Sequence, residues 1–175
     1  FTNSAGKGRE LTSTDFVYSI KRVADVKNES TGYWAFEGQI AGLDEFRKLS
    51  AKSKVTSYDV PVEGLQAPDP YTFRMKLTQP YPQLLWVLSM DYAFAVPREA
   101  VEYYAKDFVS HPVGTGPYVL KSWRRNYMME FVRNPKWVET GRQERYPSEG
   151  EPGDAEKGLL ADAGKPIPFT DRIVQ

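Results

Sequence analysis

The chain has 175 residues, 41% of them hydrophobic and 26% charged, an ordinary balance for a globular protein with a packed core. Lys plus Arg and Asp plus Glu both number 23, so no net charge draws it to nucleic acid or an anionic membrane. The absence of cysteine excludes disulfides, thiolate metal sites and cysteine nucleophiles. No run of 18 apolar residues marks a membrane span, and no signal peptide is legible at Phe1.

Aromatic residues reach 14%, with 11 Tyr and 4 Trp, a content that suits recognition surfaces as well as cores. The first predicted element starts at Thr12, with Asp15 three residues on and Leu11 just before, in the pattern of a capping box with a hydrophobic staple. Phe16, Val17, Ile20, Val23 and Ala24 then share one helical face, leaving Lys21, Arg22 and Asp25 elsewhere. Residues 28–32 form a polar turn, followed by the aromatic cluster Tyr33, Trp34 and Phe36. Three aromatics within four residues do not all face one core on a regular element, so at least one is expected to line a cleft or cover a loop. A second helix is expected over residues 43–51, with Leu43, Phe46 and Leu49 inward and Lys48, Lys52 and Lys54 solvated.

From Val60 the texture turns to β. Residues 68–70 read as a turn, and residues 72–77 alternate strictly: Phe73, Met75 and Leu77 on one face, Thr72, Arg74 and Lys76 on the other. Residues 80–82 introduce a short helix, 83–88, apolar nearly all round and therefore expected to be buried against a sheet. A short strand is predicted at 93–96, and Pro97 opens a helix running through Tyr104.

Residues 111–120 read His-Pro-Val-Gly-Thr-Gly-Pro-Tyr-Val-Leu. Gly114 and Gly116 admit angles closed to other residues and Pro117 fixes φ, so a rigid turn with positive φ at one glycine is expected to lead into a strand. A phosphate cradle is excluded: Pro117 removes a donor, no Lys follows in place, and a strand comes next instead of a helix. A polar break at 124–126 and a second strand at 127–133 complete a hairpin over residues 117–134, ended by Asn134-Pro135. His111, the only histidine, lacks partners for a triad or a zinc site, and no carboxylate pair stands in a catalytic frame; the chain is read as not an enzyme, with no metal and no cofactor. Residues 139–169 form a long loop whose part 144–168 is rich in Gly, Pro and acids. Its acids lack the spacing of a calcium loop. Residues 171–175 begin a further strand.

Residues 112–118 (Pro-Val-Gly-Thr-Gly-Pro-Tyr), Trp123, Arg133-Asn134-Pro135 and Trp137 together resemble the family 5 extracellular solute-binding proteins, the oligopeptide-, dipeptide- and nickel-binding components of bacterial ABC importers. The helix start at residues 11–22 is similar to a recurrent helix of that family, and the element order follows it from Leu11 to Trp137. The resemblance implies an α+β chain that is an internal fragment of a periplasmic-binding-protein-like two-lobe fold. Residues 1–110 would be the small accessory domain and 111–175 part of the first main lobe, with the second lobe outside the chain. It implies noncovalent capture of a peptide or other solute for delivery to an ABC permease by a monomeric parent, periplasmic or associated with the cell envelope. The runner-up function is a ligand-sensing domain of a regulatory protein built on the same lobe. By the resemblance, the ligand-facing residues are Tyr33 or Trp34 and Met90, with Tyr92 beside them, on the same side as the structural turn Gly114, Gly116 and Pro117.

Overall fold

A computed structural model describes residue 1, residues 9–139 and residues 144–175. The chain divides into two compact units, Phe1–Lys106 and Asp107–Gln175. The division falls four residues before the boundary expected at 110.

The first unit is built on helix α1 (Ser13–Ala24), α2 (Leu43–Lys52) and an antiparallel pair, β1 (Leu65–Asp69) with β2 (Thr72–Met75). Helix α1 starts where the sequence predicts. The Thr12 N–H donates to the Asp15 carboxylate at 2.8 Å, and Arg9 grips the same carboxylate through both guanidinium nitrogens, at 2.9 and 2.7 Å. Ile20 and Ala24 enter a core shared with Phe36, Ile40, Leu43 and Phe46. Burying each large apolar side chain there contributes about 1.5–3 kcal/mol.

Two readings of the helices need correction. Lys21 and Asp25, placed off the apolar face of α1, are nonetheless buried. The Lys21 ammonium donates to the carbonyls of Tyr58 and Val60 at 2.9 and 2.7 Å, and Asp25 accepts from the Tyr58 hydroxyl at 2.8 Å. The loop around Tyr58 crosses α1 and supplies polar partners that helical periodicity does not register. Leu49, expected inward on α2, is instead 52% exposed, because only the Leu43 and Phe46 edge of that helix meets the core.

Strand β2 alternates as predicted, with Phe73 and Met75 half-buried against exposed Thr72 and Arg74. Helix α3 (Leu84–Leu88) departs from expectation: Val87 alone is buried, while Leu85 and Trp86 stand 78% and 75% exposed. A helix of five residues presents one narrow edge to a core, whatever its composition. Residues 93–96 make no strand; a 3₁₀ turn, Asp91–Ala93, precedes an extended, unpaired stretch. Helix α4 (Arg98–Tyr104) follows Pro97 as its N-cap.

The second unit carries a three-stranded antiparallel sheet, β3 (Tyr118–Arg124), β4 (Met128–Arg133) and β5 (Arg172–Val174), with β4 in the middle. Asn126 holds the β3–β4 turn at φ 59°, a left-handed angle that Asn tolerates better than most residues. The register shifts between Leu120 and Ser122, and Lys121 at this bulge reaches the buried Glu130 carboxylate on β4 at 3.2 Å. Arg172 on β5 pairs with the same carboxylate at 3.2 Å.

The turn before β3 is held differently from expectation. Neither Gly114 nor Gly116 takes a positive φ, and a Cβ at Gly116 would meet nothing within 4 Å. The restraint is Asn134, at the far end of the hairpin. Its N–H donates to the Pro117 carbonyl at 2.8 Å, its side-chain amide to the Gly116 carbonyl at 3.0 Å, and its Oδ1 accepts the N–H of Lys136 as helix α5 (Pro135–Glu139) begins. A side chain 18 residues away does the work assigned to glycine angles.

The acidic segment 144–168 is a loop closed on itself, with the Tyr146 N–H on Lys165 O at 2.9 Å and the Ile167 N–H on Glu144 O at 3.0 Å. Left-handed glycines at 153, 158 and 164 turn its corners. Two of its acids are engaged locally: Asp162 with Lys165 at 2.6 Å, and Asp154 with the Glu151 N–H at 2.9 Å. Residues 140–143, part of the loop expected over 139–169, lie outside the described residues.

Candidate functional site

The aromatic cluster after α1 folds into a 3₁₀ turn, Tyr33–Ala35, that forces a choice among its side chains. Tyr33, Ala35 and Phe36 are 6%, 0% and 1% exposed, whereas Trp34 between them is 60% exposed. Four consecutive residues thus send three side chains into the core and one indole outward.

The turn is secured on several sides. The Tyr33 hydroxyl donates to the Asp44 carboxylate on α2, and the Arg47 guanidinium lies 4.1 Å from the centre of the Tyr33 ring. Burial raises the Tyr33 phenol above its ordinary range, and the Asp44 carboxylate beside it adds to the shift, so the hydroxyl stays a donor. The Ala35 carbonyl accepts from the Tyr81 hydroxyl at 3.1 Å, just before α3. The Tyr92 ring lies on Gly32, where an added Cβ would come within 2.1 Å of it. Only glycine admits that approach.

Tyr92 is half-buried, with its hydroxyl 3.4 Å from Thr31 Oγ1. Met90, immediately before the Asp91–Ala93 turn, is 37% exposed. Val87 and Ala93 join Tyr33, Ala35 and Phe36 in one core cluster, so the turns carrying Trp34 and Tyr92, with Met90 just before the second, share a common support. Trp34, Met90 and Phe94 (63% exposed) are the outward apolar groups of this region, together with Leu85 and Trp86 on α3. The exposure of Leu85, Trp86 and Phe94 is not visible in the sequence, where they read as buried helix or strand. A cleft of about 390 Å³ next to Tyr92 is lined by Arg22, Asn28, Glu29, Thr31 and Asp91 among others.

The second unit holds Gly114, Gly116 and Pro117 on their own support, Asn134. His111 is exposed, with Nδ1 3.0 Å from the Asp107 carbonyl oxygen. Among the described residues no group of three or more His, Asp or Glu is gathered as a metal ion would require, and no described helix is long and apolar enough to cross a membrane.

Rigid aromatic and thioether contact area, presented from well-packed short turns, is the kind of surface that noncovalent recognition uses. Comparison with known proteins identifies the family. Residues 6–171 match the family model described as the middle part of bacterial extracellular solute-binding proteins, family 5. The periplasmic oligopeptide-binding protein OppA of Salmonella typhimurium is 30% identical over 139 residues, 77% of this chain and 24% of that protein. The glutathione-binding protein GsiB of Salmonella choleraesuis is 36% identical over 136 residues, 78% of this chain and 26% of that protein. Among solved structures, the unliganded open form of the periplasmic murein tripeptide-binding protein MppA superposes with a TM-score of 0.63 at 25% identity, covering 88% of this chain and 30% of that one. The chain belongs to the family 5 solute-binding proteins. It spans about a quarter of the length of the curated relatives it matches, and those relatives are binding proteins, not enzymes.

Proposed function

We propose that this chain serves in the peptide-capturing component of a bacterial ABC importer, in the periplasm or at the cell envelope, handing its solute to a membrane permease. The observation that carries the proposal is the family match over residues 6–171, together with relatives named for oligopeptide and glutathione binding. In this reading Phe1–Lys106 is the small accessory domain and Asp107–Gln175 is part of the first main lobe. Lobe closure would hold an extended peptide noncovalently, through backbone hydrogen bonds and apolar walls that read little of its sequence. The parent acts as a monomer.

Trp34 and Met90 are the proposed ligand-facing side chains of the first unit, with Tyr92 beside them. Trp34 offers area at low entropy cost and a hydrogen-bonding edge, and the Met90 thioether adapts to varied side chains. Of the two adjacent candidates Tyr33 and Trp34, the exposed Trp34 takes the contact, and Tyr33 stands behind it.

The test is ligand identification on the full-length protein that contains this chain. Native mass spectrometry of the purified protein is expected to reveal bound peptides, and calorimetry with an equimolar tripeptide mixture is expected to give micromolar or tighter binding, about −8 kcal/mol or better. A protein that co-purifies with a sugar or a metal ion and ignores the tripeptides would overturn the proposal.

A further inference from the structure

The contacts around Tyr33 point to a role one step behind the ligand. The Asp44 carboxylate accepts the Tyr33 hydroxyl at one end of the turn and the Gly38 N–H at the other, 3.2 Å from each carboxylate oxygen. Gly38 has φ 68°, and its carbonyl is held by the Thr78 hydroxyl at 2.6 Å. Beneath the Tyr33 ring, the Arg47 guanidinium also donates to the Ala24 carbonyl at the end of α1, at 3.0 Å. Asp44 and Arg47 sit three residues apart on α2, so one short face of that helix grips the turn from below. What the turn presents above this grip is Trp34.

We propose that Asp44, acting through Tyr33 and Gly38 and braced by Arg47, is a positioning residue that fixes the outward placement of Trp34 for ligand. The inference rests on the reading that Trp34 touches the solute. It assigns Tyr33 a supporting part and makes α2 a determinant of affinity. An indole fixed before binding loses little rotamer freedom when the solute arrives. A loose one gives up part of its contact energy to ordering.

The experiment uses the full-length protein labelled with 5-fluorotryptophan, with the Trp34 fluorine resonance assigned through Trp34→Phe. Tyr33→Phe is the decisive variant, since it removes the hydroxyl and keeps the ring packed on Arg47; Asp44→Ala is the companion. In the unliganded protein both are expected to shift or broaden the Trp34 resonance while leaving the other tryptophans unchanged. Affinity for an equimolar tripeptide mixture is expected to fall about tenfold in each. In a Trp34→Ala background, Tyr33→Phe should cost nothing further. An unchanged Trp34 resonance in Tyr33→Phe, or losses that add fully with Trp34→Ala, overturns the positioning role. Wild-type affinity in Trp34→Ala itself overturns the ligand reading of Trp34, and the resonance still decides whether Asp44 and Tyr33 hold it.

Discussion

Glycines in this chain do opposite things depending on what surrounds them. A Cβ on Gly64 would sit 2.7 Å from the backbone N and O of Ala41 and 2.6 Å from an Ile40 methyl, with no flexible side-chain end to yield. Gly64→Ala is therefore expected to cost about 1–3 kcal/mol through overpacking, read as a lower Tm in a thermal melt. Gly116, with an ordinary φ and open space around it, should behave in the reverse sense. Gly116→Ala is expected to leave stability unchanged or raise it by about 0.4–1 kcal/mol, by restricting the unfolded chain. Lys21 shows the same dependence on surroundings. Burial pushes its ammonium below the usual lysine range, yet the Tyr58 and Val60 carbonyls keep it hydrogen-bonded. Lys21→Met fills similar space and strands both carbonyls, an expected loss of about 2 kcal/mol in chemical denaturation.

At the level of elements, β4 occupies the centre of the sheet and carries a charge held between its two neighbours. Glu130 accepts from Lys121 at the β3 bulge and pairs with Arg172 on β5, and it also lies 3.4 Å from the Ser122 hydroxyl. The hydrogen bond from Lys121 is the main cause holding its carboxyl below the ordinary value of 4.5, with the charges of Lys121 and Arg172 adding to it. A carboxyl whose folded-state pKa is depressed contributes stability above its unfolded value, and that contribution disappears as the pH falls through the folded-state value. Wild type should thus melt above Glu130→Gln near neutral pH, and the gap should shrink as the pH is lowered progressively below about 4.5. A gap constant across that range would show that the ion pairs do not couple β3 to β5. Helix α3 gives a second element-level expectation. Leu85 and Trp86 make little use of the core of this chain, so Leu85→Glu with Trp86→Lys should leave its Tm within a degree or so while reducing binding of a hydrophobic dye.

For the whole molecule, the proposal requires more surface than this chain offers. The chain spans about a quarter of its curated relatives, and in the proposed mechanism closure of two lobes supplies both contacts and the exclusion of water. Calorimetry on residues 1–175 alone is expected to show no binding of a tripeptide mixture under conditions where the full-length protein binds it. Micromolar affinity in the isolated chain would mean that a site complete in itself lies within one of the two units.

Much of the architecture was legible in the order of residues, because local physics produces it. The Thr12–Asp15 start of α1, the alternation of β2, the break at 124–126 between two strands and the stop at Asn134-Pro135 each follow from capping, pleating or proline geometry within a few residues. The family resemblance was legible for the same reason, being carried by a compact run of residues around the glycine turn and the hairpin. What stayed hidden depends on partners distant in sequence. Lys21 and Asp25 stand off the apolar face of α1 and find their partners only in the loop at Tyr58, and the glycine turn looked self-sufficient until Asn134 reached back to it. Tyr33 and Trp34 are neighbours of similar chemistry, and no pattern in the sequence ranks one above the other as the outward group. Asp44 and Arg47 decide it by seizing the Tyr33 ring and hydroxyl, since a buried phenol needs a partner and only the tertiary fold brings one within reach.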